Sequence, residues 1–195
     1  MAVPILSYVE IVRRQHNATD VIPVDIEKII DNDYRIDIYP SPGLMDRFQI
    51  DAYISRDLKE IHVDKRVYEQ RPPNRYRFSL AHEFAHLILH ADTYRAMDFK
   101  TTQEWKESMK SLATDDYDWL EWQANTFAGL LLVPPHHLLT EARNLRNQIE
   151  ATGVNPDKLE EQSIDRTLRF LGQKFGVSGS VIEKRLRKDR LWVLP

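Results

Sequence analysis

The hydrophobic pattern changes period partway along this chain. Residues 5–15 and 24–31 repeat their apolar positions at helical spacing, the second run opened by Pro23 and Asp25. The sequence YRIDIYP (34–40) then alternates, with Ile36 and Ile38 set between polar neighbours. FQIDAYI (48–54) alternates again, and KEIHV (59–63) follows a short turn at Ser55-Arg56-Asp57. These runs predict strands, and the last two predict a hairpin. After Pro72 and Pro73 the period returns to that of a helix, with Asn74 as a cap. The helix predicted from there to about Ala91 is apolar nearly all round, which marks a helix buried on most sides. Further helices are predicted over 102–112, from Asp115 or Asp116 to Pro134-Pro135, and near 136–150, 157–175 and 179–189, with breaks at Gly153 and Gly176. Strands precede helices, so the expected class is α+β.

Composition narrows the chemistry. The 195 residues suit one domain, 42% are apolar and 29% charged, and the net charge of −3 makes no global case for nucleic acid or a membrane surface. With no cysteine in the chain, disulfides and thiolate ligands are excluded, so any metal must be held by His, Asp or Glu. The N-terminus lacks the basic start, long apolar run and cleavage site of a signal peptide, and no segment reaches the roughly 18 apolar residues needed to span a bilayer. A cytoplasmic protein is expected.

Inside the buried helix stands His82-Glu83-Phe84-Ala85-His86, an H-E-x-x-H motif. Residues four apart on a helix occupy neighbouring turns of one face, so both imidazoles can address one ion. Glu83 lies about 100° round the helix, beside the ion, where its carboxylate can take a proton from activated water. The bland alternative is two hydrogen-bonded core histidines and a surface glutamate. Burying these groups without a shared partner is costly, which favours a metal site. Zinc, one per chain, is the expected ion, with manganese or iron as alternatives.

A third ligand remains to be found. On a straight helix His90 overshoots by about 6 Å, one turn beyond His86, which suits a supporting role. Asp92 would follow a glycine bend in an extended motif, but Leu89 occupies the bend position. A glutamate on the next long helix is the third option. Glu121 borders the stripe of Leu120, Ala124, Phe127, Ala128 and Leu131, whose small residues permit close helix approach. Asn125, one turn on, can support a ligand imidazole. Glu104, Glu107, Asp115, Asp116 and Asp118 are rivals on spacing alone.

The chain resembles the ImmA/IrrE family of metallopeptidases in three blocks: EIHVD (60–64), RFSLAHEFAHLILH (77–90) and EWQANTFAGLLLVP (121–134). With PVDIEKII they cover most of 20–135, and 136–195 resembles the family only loosely. The resemblance implies a zincin-like fold with a catalytic core at 1–135 and a helical C-terminal subdomain at 136–195. It also implies Glu121 as the third ligand. Family members act in bacteria and their mobile elements, cleaving helix-turn-helix repressors and relieving repression. Many carry their own helix-turn-helix domain at the N-terminus. Here there is no room for one before residue 20, so a separate repressor is the expected partner.

The expected mechanism has Glu83 as general base and the substrate backbone added along an exposed edge strand at Ile61, His62 and Val63. Tyr76, His62, His90 and His136 stay open as oxyanion-stabilising groups. Two other classes compete. One is a non-catalytic metal-binding module, an anti-repressor or toxin–antitoxin component, which would have no need of Glu83. The other is DNA binding through the basic stretch LGQKFGVSGSVIEKRLRKDR (171–190), with Ser178 as a cap. Against that stands a solvated face packed on the core, favoured by the negative overall charge. Trp105, Trp119, Trp122 and Trp192 are expected as packing anchors, and the adjacent His136-His137 as a helix start or a second metal site.

Overall fold

The computed structural model describes residues 4–16, 18, 20–70 and 73–192, and Pro72 lies outside them. Helix α1 (Ile5–Gln15) leads to a single-turn α2 (Ile26–Lys28), where the Asp25 side chain accepts the Lys28 N–H at 3.2 Å. A π-helical turn (Ile29–Asp33) follows, then β1 (Asp37–Ser41), α3 (Leu44–Phe48), β2 (Ala52–Ile54), β3 (Glu60–Asp64) and α4 (Lys65–Gln70). The rest is helical: α5 (Pro73–Ala96), α6 (Thr102–Ser111), α7 (Thr114–Leu132), α8 (Pro135–Ala151), α9 (Glu161–Phe175) and α10 (Gly179–Asp189). This is an α+β, zincin-like architecture.

The strands are shorter than their alternation predicts. Residues 44–48 coil into α3, opened by Gly43 at φ 78° and closed by Gln49 at φ 60°, so only 52–54 of the second run pair as a strand. Pairing follows the order β1–β3–β2, with β1 parallel and β2 antiparallel to β3. That order corrects one expectation. Ile61, His62 and Val63 lie on the central strand and have partners on both sides, so they offer no edge. The hairpin partner was readable locally. The parallel partner arrives from 23 residues upstream, and no local pattern announces it.

The sheet has two edges, β1 and β2, and β2 is the one that borders α5. Asp64 N–H donates to the Asp51 carbonyl at 2.7 Å, and Ser55 N–H to the Glu60 carbonyl at 2.8 Å. Odd positions on β2 therefore face β3, while Ala52 and Ile54 turn their backbone groups outward, towards α5.

Leu80, Ala81, Phe84 and Ala85 of α5 are fully buried, as are Ala124, Phe127, Ala128 and Leu131 of α7. The alanines let these two helices pack closely. The same core takes in Leu171 and Phe175 of α9 and Ile182 and Leu186 of α10, so residues on both sides of position 135 share it. No helix among the described residues is long and apolar enough to cross a membrane.

Candidate metal centre

Helix α5 carries His82, Glu83 and His86 into the interior, and α7 brings Glu121 to meet them. His82 Nε2 lies 3.2 Å from His86 Nε2 and 3.2 Å from Glu121 Oε2, and His86 Nε2 lies 3.6 Å from Glu121 Oε1. Bonds of about 2.0–2.1 Å in a tetrahedral zinc site set neighbouring ligand atoms about 3.3–3.5 Å apart. The three side chains gather their ligand atoms within 4.8 Å of one another, close to that spacing, and their donor chemistry fits the ion. Glu121 converges on the two histidines, and none of its five acidic rivals does so among the described residues.

Ionisation in the ion-free cluster shows how strongly these groups act on one another. Burial pushes the Glu121 carboxyl up, but the neighbouring imidazoles, His82 foremost, outweigh it and hold Glu121 well below the usual carboxylate range. Burial pulls His82 down, and the Glu121 hydrogen bond and the charges of Glu83 and Glu121 bring it above its ordinary value. His86, shut away from water, is pulled down to about 4 and stays neutral at physiological pH. Two imidazoles, one of them firmly neutral, and a carboxylate held ionised suit a divalent cation.

Glu83 stands apart from the three. It is buried, and its Oε2 accepts the Ile54 N–H of β2 at 2.9 Å. Burial raises its carboxyl to about 7, against the pull of His82 and of that hydrogen bond. A group poised there can both take and release a proton near neutral pH.

His90 is where a straight-helix expectation fails informatively. Its backbone leaves helical geometry (φ −126°, ψ 18°), kinking α5. The kink brings His90 Nδ1 to 2.9 Å from His86 Nδ1, while His90 Nε2 sits 3.0 Å from Gln123 Oε1. Gln123 accepts through its carbonyl oxygen, so a neutral His90 carries its proton on Nε2 and accepts on Nδ1. His86 must then donate from Nδ1, which leaves its Nε2 lone pair aimed at Glu121 and His82. Asn125 donates to the Glu121 carbonyl at 2.8 Å and also hydrogen-bonds His82 through its side chain.

The residues left open for an oxyanion divide sharply. Tyr76 donates to Glu27 at 3.0 Å, His62 pairs with Ser41 and Glu60 and stacks on Tyr53, and His136 lies beside His137. None of them lines the cavity of about 250 Å³ around the cluster. That cavity is walled instead by Tyr94 and Tyr117, which sequence reasoning missed. Burial, with charge from Glu121 and Glu83, raises the Tyr117 phenol and keeps it a hydrogen-bond donor. Nothing in the periodicity of 114–120 singles it out.

The fold is that of a zincin-like protein, and the family comparison supports the peptidase class. Residues 54–187 match the family Peptidase_M78, the IrrE N-terminal-like domain, and the chain belongs to that family. No significant match was found among curated proteins. A solved Mycobacterium tuberculosis transcriptional regulator shares the fold, with TM-score 0.54 and 17% identity over 92% of this chain. This chain spans 46% of that one.

Proposed function

We propose that the chain is a zinc-dependent endopeptidase that acts in the bacterial cytoplasm on a helix-turn-helix repressor, as the mobile-element members of the family do. His82, His86 and Glu121 hold the ion, within a catalytic core of residues 1–135 on which the helical subdomain 136–195 packs. The single observation behind this reading is that three ligand atoms from two helices converge within 4.8 Å of one another beside a second, buried carboxylate, Glu83.

A zinc ion on these ligands supplies Lewis acidity, polarising a carbonyl and acidifying water. The rest falls to the chain itself. Glu83 takes a proton on its carboxylate from the attacking water and later passes it to the departing amine. Ile54 N–H fixes the direction of that carboxylate. Ala52, on the outward face of β2 and lining the cavity, offers backbone groups to an extended substrate by strand addition. The Tyr117 hydroxyl donates to the carbonyl oxygen as negative charge develops there.

The test is Glu83→Gln, assayed on repressors encoded near the gene. We expect specific fragments with the wild type and none with the variant, while both retain about one metal per chain. Cleavage at wild-type rate by the variant sinks the mechanism. Partner release without cleavage establishes the binding-module alternative.

A further inference from the structure

A second, larger cleft, of about 840 Å³, opens from the metal cavity and shares Asp51, Phe78, Ser79 and Asn125 with it. Three helices build it, each with one stripe. Helix α5 gives Arg75, Phe78 and Ser79, the turns just before His82. Helix α7 gives Trp122, Asn125, Thr126 and Gly129, beginning one residue past Glu121. Helix α10 gives Val181, Lys184, Arg185 and Lys188, spaced i, i+3, i+4, i+7 on one face. Glu121 to Gly129 is about 12 Å of helix, the span of three to four extended residues.

The charge in this cleft opposes the charge of the protein. Four cations line it against one carboxylate, and that carboxylate, Asp51, is held by Arg75 at 2.6 Å. Arg185 is buried against Gly129 and pairs with Asp189 at 2.6 Å. Lys184 and Lys188 are exposed, and neither makes an ion pair among the described residues. Lys188 Nζ lies 5.1 Å from the Trp122 ring centre. Trp122 is 47% exposed and stacks on Trp119, itself 56% exposed, with ring centres 4.8 Å apart. These two tryptophans are therefore not the packing anchors expected of them. Trp105 and Trp192 are buried.

Resting on the peptidase reading for the neighbouring centre, we infer that this cleft is a specificity subsite for an acidic stretch of the protein substrate: a substrate carboxylate pairs with Lys184 and Lys188, and an apolar side chain beside it packs on Trp122. The basic C-terminal helix thus serves substrate selection rather than nucleic acid. Its cations on this face look into a cleft a few residues wide, continuous with the proposed reaction centre.

Binding is measured in full-length, zinc-loaded Glu83→Gln protein by fluorescence anisotropy. The probes are two fluorescein-labelled decapeptides, Ala-Ala-Glu-Leu-Glu-Glu-Leu-Ala-Ala-Ala and the same peptide with Gln for each Glu. The acidic peptide should bind about tenfold tighter at 50 mM salt, and the advantage should shrink at 300 mM. Lys184→Glu/Lys188→Glu should abolish the preference, and Trp122→Ala should weaken both peptides. Circular dichroism checks the fold of each variant, and Lys184→Gln/Lys188→Gln repeats the test without adding negative charge. Equal binding of the two peptides, or a preference that survives in both lysine variants, overturns the subsite. So does a DNA duplex that displaces the peptide and loses affinity in the same variants. Charge-selective binding without cleavage by the wild type would instead remove the peptidase reading and leave the subsite standing.

Discussion

Among the described residues, two places gather two imidazoles and one carboxylate, with ligand atoms within 4.8 Å of one another: His82–His86–Glu121 and Asp20–His136–His137. Their donors are the same and their settings are not. The first is walled by α5 and α7, and His86 is 2% exposed. In the second, Asp20 and His136 are exposed, and none of the three lines the cavity that holds Glu83. Water screens the second cluster's charges. In the first, low polarity magnifies each interaction and packing has already removed the alternatives. Donor inventory alone therefore does not define a metal centre. What sets the first cluster apart is a helix spacing that aims two rings together, a second helix that closes the triangle and a carboxyl of raised pKa beside it.

The largest effects should separate the two clusters outright. Glu121→Ala or His86→Ala should take tightly bound metal from about one per chain to none after dialysis against a chelator, and abolish cleavage. Glu83→Gln should keep the metal and lower kcat by a factor on the order of 10³. Metal retained at full stoichiometry by Glu121→Ala would move the centre elsewhere, with the exposed cluster as the first suspect.

The bracing of His86 offers a finer cut. If His90 and Gln123 fix its tautomer, His90→Phe should weaken zinc 10- to 100-fold in chelator competition, the range typical for groups that orient metal ligands. Gln123→Ala should weaken it less, because His90 keeps its contact with His86. Activity at saturating zinc should recover in both. Unchanged zinc affinity in His90→Phe would make the kink at His90 a packing feature alone.

How far all this was legible in the sequence differs by residue. His82, Glu83 and His86 announce themselves, because four-residue spacing on a helix is local geometry. Glu121 needed the family resemblance, since five acidic residues lay within reach on spacing alone. The structure brings Glu121 to the histidines through the alanine-lined contact of α5 with α7. His90 was placed as a support, but its bond to His86 depends on a kink that no glycine or proline foretells. The edge strand was misassigned because alternation reveals a strand and not its neighbours. Tyr117 and the cleft beside α10 were invisible for the same reason: they are products of helices meeting.

Metal-free protein lets protons report on the buried cluster. Glu83 titrates near 4.5 when unfolded and at about 7 when folded, so its contribution to stability falls as pH rises through that window, where the buried carboxyl must ionise. His86 runs the other way. Its pKa drops from 6.5 to about 4 on folding, so stability is lost as pH falls below 6.5, because the unfolded chain binds the proton that the core refuses. Between pH 4.5 and 6.5 the two slopes oppose, each at most about 1.4 kcal/mol per pH unit. Glu83→Gln removes one of them. Urea unfolding of the apo variant at pH 4.5, 5.5 and 6.5 should show stability climbing with pH more steeply than in apo wild type. Parallel curves would mean that Glu83 is better solvated than its burial implies.

The smallest effect belongs to the exposed cluster, and its smallness is the point. His136→Ala should leave tightly bound metal at about one per chain and cleavage unchanged, with stability within about 0.5 kcal/mol, as for surface substitutions in general. Its ring sits at the start of α8, 4.1 Å from that of His137. Consecutive helical residues diverge by about 100°, so two such imidazoles on one ion demand a strained arrangement that a surface setting does little to enforce. Weak, millimolar zinc binding lost in His136→Ala is compatible with this contrast. A second, chelator-resistant zinc in the wild type that disappears in His136→Ala would break it, because an open surface would then hold its ion as firmly as the buried helix pair.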